Sequence, residues 1–101
     1  MYDVVVVYPL LQSEGTEHIL LGEKKTGLGQ GRVVGPGGKV ELGESLRQAA
    51  VRELFEETTL VAEETSLIPI ATLHYPFPSR PHLSQRSHAF LVREFEGEPT
   101  A

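Results

Sequence analysis

Gly35-Pro36-Gly37-Gly38-Lys39-Val40-Glu41-Leu42-Gly43-Glu44-Ser45-Leu46-Arg47-Gln48-Ala49-Ala50-Val51-Arg52-Glu53-Leu54-Phe55-Glu56-Glu57-Thr58-Thr59-Leu60 opens as a glycine-rich loop and continues as a helix. Ser45 followed by Gln48 is the reciprocal pattern in which side chains and backbone cap one another at a helix start. Ala50, Val51, Leu54 and Phe55 share one side at helical spacing, which predicts a buried face. Glu53, Glu56 and Glu57, at i, i+3 and i+4, gather on roughly the opposite side.

The acidic cluster carries the chemical information. Like charges at i and i+4 destabilise a helix by about 0.2–0.5 kcal/mol. Anions near a helix C-terminus also oppose the macrodipole. A hard divalent cation offsets both effects, because Mg²⁺ takes carboxylate oxygens and completes its shell with waters and substrate phosphates. The plain alternative is a solvated acidic face. The loop in front favours the cation, because Gly35, Gly37 and Gly38 permit close backbone approaches that a Cβ resists. Such a loop can aim carbonyls and amides at a metal or a phosphate.

With Gly38, five residues, Glu44, seven residues, then Arg52-Glu53-Leu54-x-Glu56-Glu57-x-Thr59-Leu60, the stretch resembles the signature of the Nudix (MutT-like) hydrolases. One position departs, since the family pattern has Gly where this chain has Thr59. That glycine ends the helix in a left-handed turn, a conformation that a β-branched residue adopts only at a cost. The resemblance implies an α/β/α sandwich with a mixed sheet. It also implies hydrolysis of a nucleoside diphosphate linked to another group, with Mg²⁺ or Mn²⁺ as cofactor. Under it, Glu56 and Glu57 are metal ligands, Glu53 is ligand or general base, and Arg52 orients Glu53. The Gly38 carbonyl joins the metal shell, Gly37 shapes the loop, and Glu44 ties loop to helix through an ion pair.

Composition sets the bounds. A chain of 101 residues makes one domain with a modest core. No cysteine means no disulfide framework and no thiol chemistry, which fits a reducing compartment. There is no apolar run long enough to span a membrane, and Met1-Tyr2-Asp3 lacks the basic start of a signal peptide, so the cytoplasm is the expected location. A net charge of -5 argues against binding to duplex DNA, whose phosphates attract basic surfaces. A small polyphosphate remains compatible, because a bound cation reverses the local charge.

Along the chain, Val4 to Val7 reads as a strand buried on both faces and limited by Pro9. A polar turn around Gln12 to Glu17 and a second run, His18 to Leu21, suggest a hairpin. Gly22 to Gly31 is a loop in which Lys24 and Lys25 are either phosphate contacts or ordinary solvated lysines. The order strand, Lys-Lys, glycine-rich loop, Gly-Arg, two residues, Gly-x-Gly-Gly-Lys resembles the Nudix subgroup that hydrolyses oxidised purine nucleoside triphosphates. Val33-Val34 stand where that subgroup has an aromatic-Asn pair, so the base-reading hydrogen bond of that Asn is not available. Leu67 to His74 reads as a strand broken at its start by Pro69, and Ser87 to Phe95 as another. In the stiff segment between them, Tyr75 and Phe77 either line a base-binding cleft or pack in the core.

A Nudix domain continues with a further strand and a second large helix. The resemblance covers its first part, so the chain is expected to lack the C-terminal helix, leaving one sheet face bare. A truncated chain, or a protomer that a partner completes as in a homodimer, would account for this. The leading expectation is a nucleoside triphosphate pyrophosphohydrolase acting on unmodified or oxidised nucleotides. Another Nudix substrate class, such as a dinucleoside polyphosphate, nucleotide sugar or capped RNA end, is the first alternative. A non-catalytic ligand-binding Nudix module is the second, and the intact Arg52-Glu53…Glu56-Glu57 set argues against it.

Overall fold

The β-branched run Val4–Val7 lies inside β1 (Tyr2–Ser13), the strand on which the rest of the sheet is assembled. A computed structural model describes residues 1–19, 22–23 and 33–98. Lys24 and Lys25 lie outside the described residues. β1 turns back through Glu14 and Gly15, with φ of 51° and 79°, into β2 (Thr16–Ile19). Two consecutive residues with positive φ give a turn whose twist suits a tight antiparallel hairpin. A separate antiparallel ladder joins β3 (Gly22–Glu23) to β4 (Val33–Val34).

Pro9 was expected to limit the first strand, but it sits fully buried within it. It falls at a handover between two partners on one edge of β1. Val7 N–H reaches the Pro36 carbonyl beside β5 (Gly37–Lys39), and pairing with β2 begins at Leu10. A residue with no N–H is tolerated there because neither partner needs one. The other edge of β1 pairs in parallel with β7 (Gln85–Val92), and β7 pairs antiparallel with β6 (Ile68–Tyr75). The sheet order is therefore β2-β1-β7-β6 with β5 also on β1, a mixed sheet. The strand read as Ser87 to Phe95 runs instead from Gln85 to Val92. Pro69 does mark an irregularity, since the β6–β7 register slips between Pro69 and Ala71.

Helix α1 (Leu46–Thr58) covers one face of this sheet. Ser45 caps its first turn by the reciprocal arrangement read from the sequence, with Gln48 N–H donating to Ser45 Oγ at 3.0 Å and Ser45 N–H to Gln48 Oε1 at 2.8 Å. The buried stripe is Ala49, Ala50, Leu54 and Thr58. Phe55, expected in that stripe, is 52% exposed. The helix is rolled so that two alanines meet the sheet, which permits close approach and turns Glu53 toward β5. Val5, Val7, Phe90 and Val92 form the core with Ala50, Leu54, Leu60 and Leu67. Val4 and Val6, expected to be buried as well, are only half-buried because they point to the face that α1 does not cover.

Helix α1 ends at Thr59, whose φ of 64° and ψ of 6° are left-handed. The residue that departs from the family pattern thus holds the conformation for which glycine is favoured, at a cost of about 1–2 kcal/mol for an L side chain. Its hydroxyl offsets part of this, lying 2.5 Å from the Thr58 carbonyl and 3.1 Å from that of Glu98. Thr59→Gly should therefore leave stability nearly unchanged, since strain relief is balanced by the lost hydroxyl bond and by glycine's chain entropy. Thr59→Val keeps the strain and loses the bond, so it should destabilise by about 1–2 kcal/mol. Chemical denaturation of the two variants checks that order. Among the described residues no helix is long and apolar enough to cross a membrane.

Candidate functional site

The antiparallel register of β5 on β1 decides which backbone groups of the glycine loop are available. Val7 N–H donates to the Pro36 carbonyl and Val40 N–H to the Asp3 carbonyl, with Gly38 opposite Val5 between them. By the alternation of an antiparallel ladder, Gly38 N–H and C=O then face Val5, whereas those of Gly37 and Lys39 face outward. The outward side is the one that α1 approaches. Gly37 N–H donates to Glu57 Oε2 at 2.5 Å, and the Lys39 carbonyl accepts from Arg52 Nη2 at 3.0 Å. The Gly38 carbonyl, expected in a metal shell, is thus directed into the sheet, and the outward carbonyl beside Glu57 is that of Gly37.

Gly38 contributes by what it lacks. A Cβ built on it would lie 2.5 Å from Glu53 Oε1, so the Glu53 carboxylate rests directly on the bare Cα. A Cβ on Gly37 would stand 2.1 Å from the Val5 carbonyl, so there the strand itself leaves no room.

Arg52 organises the carboxylates. Its Nε and Nη2 reach the two oxygens of Glu44 at 2.7 and 2.9 Å, a two-pronged contact across eight residues. Its Nη1 reaches Glu53 Oε1 at 2.7 Å and Glu56 Oε2 at 3.1 Å. Charge-assisted, forked contacts of this kind fix orientation as well as contributing energy. The guanidinium is held even more firmly charged than usual, chiefly by its hydrogen bond to Glu44. Glu44 is held below the usual carboxylate range, first by that bond and then by the Glu41 amide.

A carboxyl group whose folded pKa is depressed stabilises the fold above its unfolded pKa, and this contribution is lost as pH falls through the folded value. Asp3 acts in the same sense, lowered first by its hydrogen bond to His88. The melting temperature should therefore fall as pH drops below the ordinary glutamate value of 4.5. Glu44→Gln should be less stable at neutral pH and show a flatter acid limb. Equal acid slopes for both proteins in thermal melts would contradict the role of the Arg52–Glu44 pair.

Gly37, Gly38, Glu44, Arg52, Glu53, Glu56 and Glu57 are thus brought to one edge of the sheet. Among the described residues no three His, Asp or Glu side chains converge as a ready-made cage. Glu53 and Glu56 both turn to Arg52, whereas Glu57 holds the Gly37 amide. In kind, though, three carboxylates beside an outward carbonyl are hard oxygen donors, the set that suits Mg²⁺ or Mn²⁺. Tyr75 and Phe77 are not part of this assembly. They are exposed at the end of β6, separated from β5 by β1 and β7, and Phe77 N–H is tied to Ser84 Oγ at 2.8 Å.

Two features escaped sequence reasoning. The Lys39 carbonyl as an Arg52 acceptor is a backbone group, so no residue type signals it. Asp3 joins Arg86 Nε at 3.0 Å and His88 Nε2 at 2.9 Å across β1 and β7, on the face that carries α1. More than 80 positions separate those partners, and no local pattern links them.

Comparison with known proteins identifies the family. An oxidized purine nucleoside triphosphate hydrolase from Danio rerio is 42% identical over 81 residues, which is 80% of this chain and 50% of that protein. An 8-oxo-dGTP diphosphatase from Escherichia coli is 45% identical over 64 residues, covering 63% of this chain and 46% of that one. The chain spans about half the length of these curated relatives. The crystal structure of a MutT/nudix family protein from Enterococcus faecalis matches 99% of this chain and 39% of its own with a TM-score of 0.84. At 22% identity that likeness is one of fold. The family model of the NUDIX domain matches residues 1–101, and the chain belongs to that family.

Proposed function

We propose that this chain, read as one domain over residues 1–101, hydrolyses a nucleoside triphosphate to the monophosphate and pyrophosphate, with a divalent cation as cofactor. The observation that carries the proposal is the Arg52-centred assembly: Glu53, Glu56 and Glu57 presented beside the outward-facing backbone of Gly37. The curated relatives, named for hydrolysis of oxidised purine nucleotides, support the same reaction class.

Glu53, Glu56, Glu57 and the Gly37 carbonyl would hold the cation. When bound, it neutralises phosphate oxygens and lowers the pKa of water. The protein groups do the positioning. Arg52 restrains the Glu53 carboxylate, which rests on Gly38 at the edge of the acidic cluster and is placed to accept a proton from water. Glu44 holds Arg52 from the other side and fixes the guanidinium against which Glu53 rests. Glu57, tied to the Gly37 amide, links helix to loop and keeps the carboxylates and the outward carbonyl on one side of the strand.

A panel of unmodified and oxidised nucleoside triphosphates, assayed with Mg²⁺ for pyrophosphate and orthophosphate, tests the reading. Pyrophosphate with the monophosphate is the expected product pair. Orthophosphate as the product, or no turnover of any triphosphate alongside turnover of a nucleotide sugar or dinucleoside polyphosphate, would overturn it.

A further inference from the structure

A guanidinium carries five N–H donors in a rigid fork, and Arg52 uses all five within the loop-helix unit. Nε and Nη2 donate to the two oxygens of Glu44, and Nη2 donates also to the Lys39 carbonyl. Nη1 donates to Glu53 and to Glu56. These contacts are unequal. The first three fasten Arg52 to the segment before α1, where the Glu41 N–H steadies Glu44 Oε1 at 3.0 Å. Glu53 lies 2.7 Å from Nη1 and rests against Gly38, so close that an added Cβ would meet it at 2.5 Å. Glu56 has the longest hydrogen bond to Arg52, 3.1 Å, on a nitrogen that it shares with Glu53. Glu57 turns to the other side and takes the Gly37 amide.

The three carboxylates are thus turned to internal N–H donors, and at least one must leave its donor before they converge. Glu56 leaves most easily. Its release keeps four of the Arg52 hydrogen bonds, including both to Glu44. Moving Glu53 breaks a shorter charge-assisted bond and lifts its carboxylate off Gly38. Moving Glu57 uncouples α1 from β5. Glu56 reaches Arg52 because helix side chains lean toward the N-terminus, and rotation about its own side-chain bonds is enough to turn it away. We propose that Glu56 is a swinging arm for which Arg52 Nη1 and a divalent cation compete, while Glu44 and Glu53 keep the guanidinium in place. Arg52 is then a positioning residue with a second effect: its hold on Glu56 limits how tightly the cation binds. The proposal rests on the reading of α1 as a cation site.

Calorimetric titration with Mg²⁺ tests the competition as a double-substitution cycle at positions 52 and 56. Arg52→Gln should favour cation binding at least about threefold more in the parent than in a Glu56→Gln background, because only the parent has a charged arm to free. Comparing the two backgrounds cancels whatever Arg52 contributes through Glu53 alone. If Arg52 only orients the ligands, its loss weakens binding by about 10–100-fold, and most where Glu56 is intact. A coupling of zero or of that opposite sign overturns the proposal. Where a variant folds or binds too poorly for the cycle, nitrogen NMR of the Arg52 side chain in the parent decides. Saturating Mg²⁺ should shift the Nη1 signal and leave Nε, held by Glu44, in place; an unmoved Nη1 signal overturns the proposal. The two readings fail differently. No saturable binding by the parent overturns the cation reading and this proposal with it, whereas binding without the coupling or the Nη1 shift overturns this proposal alone.

Discussion

Glu57→Gln should fold normally yet lose at least about a hundredfold in nucleotide turnover, an effect of the size seen when one electrostatic partner of a reacting centre is removed. The two halves of that expectation have separate causes. Gln keeps an amide oxygen that can accept the Gly37 N–H, so the link between α1 and β5, now 2.5 Å, is retained in kind. It loses the negative charge, and with it a hard anionic donor for a divalent cation. The variant also relieves the like-charge repulsion with Glu53 at i, i+4, so its melting temperature should be equal to or slightly above that of the parent. Unchanged turnover would remove Glu57 from the reaction. A collapse in stability would show that its role is to hold the loop.

Gly37→Ala and Gly38→Ala should have opposite consequences although the residues are adjacent. At Gly37 the added methyl meets the Val5 carbonyl at 2.1 Å and Val6 Cα at 3.0 Å. Both are backbone of the central strand and cannot turn aside, so β5 must leave β1. The cost should reach or exceed about 3 kcal/mol, the upper part of the overpacking range. At Gly38 the three atoms nearest the methyl all belong to the end of the Glu53 side chain. A flexible carboxylate can swing away, so stability should change by less than about 1 kcal/mol. Turnover should nevertheless fall about a hundredfold, because misplacement by about 1 Å has that effect on a reacting group. Parallel denaturation and kinetics on the two variants check this. Equal losses of stability would show that the Glu53 carboxylate cannot swing away from position 38.

Local information made the loop-helix unit legible. The Ser45–Gln48 cap, the i, i+3, i+4 spacing of Glu53, Glu56 and Glu57 and the left-handed position at Thr59 are each set within a few residues, and each is present in the fold. The hairpin at Glu14-Gly15 and the disturbance at Pro69 were legible for the same reason. What failed depended on partners distant in sequence. Pro9 reads as a terminator until the handover from β5 to β2 is known. Phe55 reads as core until the two alanines Ala49 and Ala50 are seen to take the contact with the sheet. The direction of the Gly38 carbonyl follows from a register with Val5, more than 30 positions away. Residue type could not have revealed it.

The link between the acidic face of α1 and hydrolysis rests on a divalent cation, and a calorimetric titration tests that link without any substrate. Adding Mn²⁺ or Mg²⁺ to the protein at neutral pH should give saturable binding that Glu57→Gln weakens by at least about tenfold, the smaller end of what losing even a group that only orients a metal's ligands costs. No saturable binding, or binding indifferent to that substitution, would contradict the assignment of this helix face as the metal site.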